Sequence, residues 1–145
     1  MKRELTVDSV FWGIVLAAVF GMANAYLAVK VGMTISASIP AAVVSMAILR
    51  GLLKRGSIYE NNMVQTIASS GESLAAGVTF TIPAFFFLDY LGFEVRYLHI
   101  LLWSLIGGLL GIGFMIPLRK RLIEEETEAL KFPEGTACAE VLKAG

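Results

Sequence analysis

The stretch "SVFWGIVLAAVFGMANAYLAV", residues 9–29, decides the class of this protein. It holds 21 residues without a charged side chain, and a helix of that length is about 30 Å long, enough to cross the hydrocarbon core of a bilayer. Lys2 and Arg3 precede it, and "ANA" at 23–25 would also suit a cleaved signal peptide. Because Asp8 interrupts the basic region and the apolar character continues beyond that tripeptide, a retained transmembrane helix is the better interpretation.

The rest of the chain continues this apolar pattern. Of its 145 residues, 57% are hydrophobic, whereas a soluble domain usually has about 45–50%. Further apolar runs follow at 33–49, about 60–91 and 98–116. Transmembrane strands would instead alternate over segments of roughly ten residues. The sequence therefore predicts an all-α, polytopic helical transmembrane bundle of about four spans in the cell (inner or plasma) membrane.

The second run, "MTISASIPAAVVSMAIL" at 33–49, predicts a broken helix. It follows the first run after three residues, so the two form an antiparallel hairpin or one helix that breaks and re-enters the membrane. Pro40 lies inside the run and removes a backbone hydrogen bond, and the hydroxyls of Thr34, Ser36 and Ser38 would satisfy the freed carbonyls. In lipid, such a break is tolerated only where protein or a wet cavity covers it.

The third run, 60–91, is too long for one perpendicular span, at roughly 45 Å if it is fully helical. Gly71 allows a break and Pro83 favours a second one. We therefore expect a polar half-segment over 60–71 that leads into a hydrophobic span over about 74–91.

Lys and Arg residues predict the orientation of the bundle. With four spans and a cytoplasmic N-terminus, eight basic residues lie inside and two, Lys30 and Arg96, lie outside. The eight are Lys2, Arg3, Arg50, Lys54, Arg55, Arg119, Lys120 and Arg121. This positive-inside asymmetry predicts that both the N-terminus and the C-terminus are cytoplasmic.

The chain changes character after the membrane region, which we place at 1–116. Residues 117–132 are strongly charged and predict a cytoplasmic loop. Pro133 followed by Glu134 suits the first turn of a helix, because the missing N–H costs little there and negative charge meets the helix dipole. Residues 133–145 would thus begin a further helix, and we expect the chain to be a truncated part of a longer protein.

Charge and residue types exclude several function classes. The formal net charge is zero, which predicts no nucleic-acid partner. Cys138 is the only cysteine and His99 the only histidine, so we expect no disulfide, no metal site and no cofactor. No Ser/His/Asp set or phosphate-binding loop occurs, and the sequence gives no argument for an enzyme.

A polar stripe marks the start of the third run. At about 100° per residue, six hydrogen-bonding side chains fall within about 120° of one another if the helix stays regular through Gly71. They are Asn61, Asn62, Gln65, Ser69, Glu72 and Ser73. A stripe of this kind does not face lipid.

Glu72 is the residue in this stripe that most needs an explanation. A charged side chain at the centre of a lipid-exposed helix costs about 2.5–3.5 kcal/mol on insertion scales. Three interpretations stay open: a structural acid hydrogen-bonded inside the bundle, a proton-coupling group, or a direct contact to a substrate amine or metal chelate. Asn24, near one end of the first span, is a further candidate, with interface hydration as its simpler explanation.

The fourth run contains a packing motif. Gly107 and Gly111 form G-x-x-x-G, which lets a neighbouring helix approach closely. The same motif could bring copies of this chain together as a homo-oligomer. A small four-helix scaffolding membrane protein that oligomerises through this span is therefore one hypothesis for the function.

Three segments of the chain resemble the oligopeptide transporter (OPT) family, in its bacterial and archaeal branch. They are "ANAYLAVKVGMTISASIPAAVVSMAILR", "SIYENNMVQTIASSGESLAAGVTFTIPA" and "FPEGTACAEVLKAG". The resemblance covers residues 4 to 145 and implies the N-terminal portion of a proton-coupled symporter for oligopeptides, peptide-like compounds or metal chelates.

The resemblance also implies which residues and partners take part. Family members have more spans than this chain holds, so its partners would be lipid, a small peptide or metal-chelate substrate, and the remaining helices. The family signature positions present here are Asn61, Asn62, Gln65, Ser69, Gly71, Glu72, Pro133, Glu134, Gly135 and Thr136. Glu134 and Thr136 thereby join the pathway candidates.

Overall fold

The chain folds into five α-helices in a computed structural model that describes residues 4–54, 56–89, 96–126 and 130–145. These are α1 (Val7–Val31), α2 (Ser38–Met46), α3 (Ile58–Asp89), α4 (Tyr97–Arg119) and α5 (Pro133–Ala144). Two π-helical stretches, Ala47–Leu52 and Lys120–Glu125, extend α2 and α4. The described ranges contain no strand, so the all-α class is confirmed.

The helices divide between two compact units, one formed by Met1–Gly77 with Pro133–Gly145 and the other by Val78–Phe132. Two helical stretches, Val7–Val31 and Tyr97–Glu125, are long and apolar enough to cross a membrane, whereas Ser38–Leu52 is shorter. The helical membrane bundle is thus supported. The count of four spans and the cytoplasmic ends stay predictions.

Both ends of α1 follow from its sequence. Thr6 caps the first turn, since Ser9 N donates to Thr6 Oγ1 at 3.2 Å and Thr6 N donates to Ser9 Oγ at 2.9 Å. Gly32 ends the helix with φ 76°, and its N–H donates to the carbonyl of Ala28 at 3.0 Å. This left-handed conformation is readily adopted by glycine, so the chain leaves the helix there.

The break after α1 comes earlier than the sequence predicted. Residues 33–37, which we call the link, are not helical, and α2 begins only at Ser38. Pro40 therefore lies in the first turn of α2, where its missing N–H costs little. The prediction that Pro40 itself breaks the second run was wrong in position, although a break between the two runs is present.

The predicted breaks in the third run are absent, because α3 is one helix through Gly71 and Pro83. At Pro83 a long helix bears the loss of one backbone hydrogen bond. At Gly71 the missing side chain serves packing, since a Cβ there would lie 2.5 Å from the Cβ of Ala17. The predicted end of this run at residue 91 lies outside the described residues.

Small residues bring α1 and α3 together. A Cβ on Gly13 would lie 2.8 Å from Ile67 Cβ, and one on Gly21 would lie 3.4 Å from the carbonyl oxygen of Gly71. Contact positions advance together along both helices, so α1 and α3 run parallel. The spacing Gly13, Ala17, Gly21 is a small-xxx-small pattern that permits close backbone approach.

α2 packs antiparallel to α3 and parallel to α5. The core between α1, α2 and α3 is built from Leu16, Ala41, Leu49, Val64 and Ala68. A second cluster, Ala42, Cys138 and Leu142, fixes α5 on α2. α5 begins at Pro133, as predicted from the Pro-Glu pair.

In the second unit α4 continues beyond the predicted end of the fourth span. The helix passes through Pro117 and stays helical to Glu125, so the first part of the predicted 117–132 loop is helical; residues 127–129 lie outside the described residues. Phe85 stacks on Trp103 with ring centroids 4.7 Å apart. A Cβ on Gly107 or Gly111 would meet no atom of the described chain within 4 Å, so their packing role stays a prediction.

Candidate functional site

Most predicted polar residues of the first unit converge on the link. The link joins the C-terminal end of α1 to the N-terminal end of α2. Asn24 of α1 and Glu134 of α5 bond to it directly, and α3 is connected to it through Asn24 and Ser38. Two sets of hydrogen bonds meet there. One is buried and includes Glu72, and the other is more exposed and includes Glu134.

The buried set joins α1, the link and α3 through Asn24. Its Oδ1 accepts from Ile35 N at 3.0 Å, and its Nδ2 donates to Ile35 O at 2.9 Å. Nδ2 also donates to Oε1 of Glu72. Asn24 is 2% exposed and Glu72 7% exposed. Asn24 is therefore a buried connector between α1, the link and α3.

The second set is a row of polar side chains from α3 across the link to α5. Gln65 Nε2 donates to Ser69 Oγ at 3.3 Å, and Ser69 Oγ lies 2.9 Å from Ser38 Oγ. Ser38 Oγ lies 3.2 Å from Ser36 Oγ, which donates to Glu134 Oε1. Because a hydroxyl group can both donate and accept, the hydrogen bonds between the three serines can run in either direction along the row.

Glu134 is the charged end of this row. Hydrogen bonds from Ser36 and then Ser38 hold the pKa of its carboxyl below the usual value. The neighbouring Cys138 is buried, and burial, followed by the charge of Glu134, raises the pKa of its thiol. At neutral pH the row therefore ends in a carboxylate, while Cys138 stays a neutral thiol whose sulfur lies 3.8 Å from Ser38 O.

A small cavity of about 50 Å³ lies between α1 and the link. Its walls are mainly apolar, and Asn24 and Ser36 supply polar groups; the other lining residues are Phe20, Ala23, Leu27, Ile35, Ala37 and Pro40. This volume admits a few water molecules, because one water needs roughly 10–15 Å³ on the same measure. It does not admit a peptide.

The opposite end of the stripe forms a separate polar contact. Asn61 is fully buried, and in the amide orientation that satisfies both neighbours it donates to Ser45 O and accepts from Arg50 Nε, each at 3.3 Å. Ser45 Oγ donates to Ala42 O at 2.8 Å. This cluster ties α2 to α3 and does not reach the link.

The predicted stripe thus divides into groups with different surroundings. Asn61 and Glu72 are buried, Gln65 and Ser69 are half-buried, and Asn62 is exposed. Thr136, on α5, is also exposed. Sequence reasoning missed Ile35, whose backbone groups carry the contact and whose apolar side chain gave no signal. It also missed Ala17 and Gly21, although their spacing was visible.

The described residues offer no metal site, since they contain no group of three or more His, Cys, Asp or Glu side chains placed to hold an ion. The groups gathered around the link are amide, hydroxyl and carboxyl groups, and the chemistry they offer is hydrogen bonding.

Comparison with known proteins gives the chain its family. The sequence model of the OPT oligopeptide transporter protein family matches residues 4–145. A Haemophilus influenzae protein named as a candidate oligopeptide transporter is 46% identical over 120 residues, which are 83% of this chain and 18% of that protein. The chain thus spans about a fifth of the length of this curated relative. No solved structure matches it. With nearly its whole length matched, the chain belongs to the OPT oligopeptide transporter family.

Proposed function

We propose that the chain forms the N-terminal helices of a proton-coupled secondary transporter of oligopeptides or of peptide-like or metal-chelate substrates, and that Glu72 carries the coupled proton. The observation that carries this proposal is the buried Glu72 carboxyl group, joined through Asn24 to a non-helical link in a chain of a transporter family. Membership of that family favours transport over a scaffolding role.

The surroundings of the two carboxyl groups at the link support Glu72 as the carrier. Glu134 is exposed and takes its hydrogen bond from a hydroxyl at the surface. Glu72 is buried, and the group that bonds to it is a neutral amide. A transporter that couples to protons needs a site shielded from free exchange with water, and Glu72 meets this requirement better.

The link itself supports a role in substrate movement. Secondary transporters place discontinuous helices at their binding sites, where helix ends and unwound backbone face the substrate. Here α2 begins at the link without a side-chain cap from Ala37, and the Ser36–Ser38–Ser69–Gln65 row lies beside it. Hydroxyl and amide groups of this kind suit the peptide bonds of a substrate. Further helices of the full-length protein would complete the enclosure.

Uptake of labelled di- to tetrapeptides and of a labelled metal chelate by the full-length protein in membrane vesicles tests the proposal. We expect an inward proton gradient to accelerate uptake. Glu72→Gln should abolish this acceleration but keep exchange of peptide across the vesicle membrane, because the Gln oxygen still accepts from Asn24 and cannot carry the proton.

Ser70→Ala is the matched control, since Ser70 is an exposed side chain on the same helix and lies outside the candidate set. Uptake by Glu72→Gln with an unchanged response to the gradient would remove Glu72 from the coupling role. Absence of uptake for every peptide and chelate by the wild-type protein would contradict transport of these substrates.

A further inference from the structure

We propose that Asn24 is the positioning residue through which the protonation state of Glu72 controls the link. This inference rests on the proposed function of Glu72 as proton carrier. It adds a specific mechanical consequence: loss of the Glu72 charge loosens the attachment of α3 to residues 33–37.

The first step concerns the orientation of the Asn24 amide. Ile35 offers one N–H and one carbonyl, and they bond to Oδ1 and Nδ2 of Asn24 respectively. These two contacts together fix the orientation of the Asn24 amide, with Oδ1 toward the N–H of Ile35 and Nδ2 toward its carbonyl. The second hydrogen of Nδ2 points to Oε1 of Glu72. The backbone of Ile35 therefore fixes a hydrogen-bond donor toward the carboxyl group.

The second step concerns the proton. An ionised Glu72 accepts a charge-assisted hydrogen bond from this donor, and such bonds are roughly twice as strong as neutral ones. A Glu72 protonated on its other oxygen keeps the contact as a weaker neutral bond. A Glu72 protonated on Oε1 presents its own O–H to the NH₂ group. Asn24 could accept that O–H only by rotating its amide by half a turn. The rotation would place Nδ2 against the N–H of Ile35 and Oδ1 against the carbonyl of Ile35, so both hydrogen bonds to Ile35 would be lost.

Either route weakens the same connection, because Asn24 is the residue that joins α3 to the link in the buried set. Loosening at Ile35 also reaches Ser36, the next residue, whose hydroxyl donates to Glu134. Protonation of Glu72 would thus change the position of Ser36 in the exposed row that ends at Glu134, beside the proposed path of the substrate.

Within the described residues, no other ionisable side chain is hydrogen-bonded to Glu72 or Asn24. On α1, Lys30 is exposed in the last turn and Asp8 lies in the first turn. The sequence of α2 contains no ionisable side chain. On α5, Glu134 and Cys138 contact Ser36 and Ser38 on the other side of the link. The neutral donor of Asn24 is therefore the contact that distinguishes the two forms of the carboxyl group.

Thiol labelling of the link tests this inference in the full-length protein in membrane vesicles. Ile35→Cys places the thiol on an exposed side chain and leaves the backbone bonds to Asn24 in place. Cys138 and any other cysteines are replaced by Ala. Labelling rates with dithiodipyridine are measured from pH 8 to pH 5, with and without Asn24→Ala. At each pH, the rate with Asn24 present is divided by the rate with Asn24→Ala. This ratio cancels the effect of the thiol's own ionisation on labelling.

With Asn24 present, we expect this ratio to rise about tenfold as Glu72 gains its proton, equivalent to about 1.4 kcal/mol. Glu72→Gln should make the ratio independent of pH and hold it near its low-pH value, because its neutral amide oxygen accepts only the weaker hydrogen bond at every pH. Asn24→Asp should move the rise to higher pH, since two neighbouring acids share one proton. A variant that merely fails to fold would be labelled fast at every pH and would not show this displacement.

A flat ratio in the wild-type background would overturn the role of Asn24, as would a rise that persists in Glu72→Gln. The two proposals fail separately. Gradient-driven uptake that needs Glu72, together with a flat labelling ratio, would contradict the inference on Asn24 alone. A ratio that responds to pH through Glu72 in a protein without gradient-driven uptake would contradict the transport proposal and uphold the coupling between Glu72 and the link.

Discussion

The close approach of α1 and α3 at Gly71 gives the most direct test of the packing. A Cβ at this position would lie 2.5 Å from Ala17 Cβ and 3.0 Å from the Cα and carbonyl oxygen of Ala17. Carbon atoms pack favourably at about 3.5–4.0 Å. Gly71→Ala therefore requires the helices to separate by about 1 Å, because backbone atoms of α1 cannot rotate out of the way.

The expected magnitude combines two opposing terms. Overpacking a well-packed contact costs about 1–3 kcal/mol, while replacing glycine by alanine inside a helix gains about 1 kcal/mol. Gly77→Ala is the matched control on the same helix, since a Cβ there meets no atom within 4 Å. The helix term is common to both variants, so Gly71→Ala should be less stable than Gly77→Ala by about 1–3 kcal/mol.

The difference in stability between the two variants is measured by equilibrium unfolding of the full-length protein in mixed micelles titrated with SDS. Tryptophan fluorescence follows the unfolding. The variant Ala17→Gly removes the facing Cβ, and the double variant should recover at least about 1 kcal/mol relative to the sum of the single changes. Equal stability of Gly71→Ala and Gly77→Ala would refute the reasoning. So would additivity of the two changes at Gly71 and Ala17.

Three further predictions concern α5. Ser36→Ala should return the pKa of Glu134 toward its usual value, because the Ser36 hydrogen bond is the main cause of the lowering. In the wild-type protein the lowered pKa stabilises the docked α5 at pH values above the usual carboxyl range. This stabilisation is lost as the pH falls through the pKa of the folded state. The acid limit for release of α5, followed by dithiodipyridine labelling of Cys138, should therefore move to higher pH in Ser36→Ala. Cys138 itself should react slowly with iodoacetamide at pH 8 in the native protein and quickly in denaturant, as mass spectrometry would measure, because burial raises the pKa of its thiol. Leu142→Ala should weaken the docking of α5 by about 2–5 kcal/mol and expose Cys138 to labelling. The neighbouring exposed control Lys143→Ala should change docking by no more than about 0.5 kcal/mol.

The sequence predicted the helices better than their breaks. The apolar run 9–29 lies within α1, since length and hydrophobicity alone define a span. The cap of Thr6 and the left-handed Gly32 then set the ends. The breaks at Gly71 and Pro83 were wrong because both residue types weaken a helix locally without forcing it to end. Neighbouring contacts decide the outcome, and they are invisible in a local pattern.

The candidate site was predicted in part. The stripe on α3 was visible because a regular helix brings residues 61, 65, 69 and 72 to one side. Its division into buried and exposed members could not be predicted, since it depends on where α1 and α2 pack. The Asn24–Glu72 contact joins residues 48 positions apart. Periodicity carries no information at that separation.

The two buried polar residues of α3, Asn61 and Glu72, differ in what their side-chain chemistry can do. Asn61 and Glu72 lie about three turns apart on one helix. At the first position a neutral amide satisfies its buried neighbours. An amide at the second would also accept the hydrogen bond from Asn24, because Asn24 needs only an acceptor there. It would also avoid the cost of placing an ionisable group in the interior. What a carboxyl group adds is the capacity to gain and release a proton, and this capacity is what the proposed coupling role of Glu72 requires.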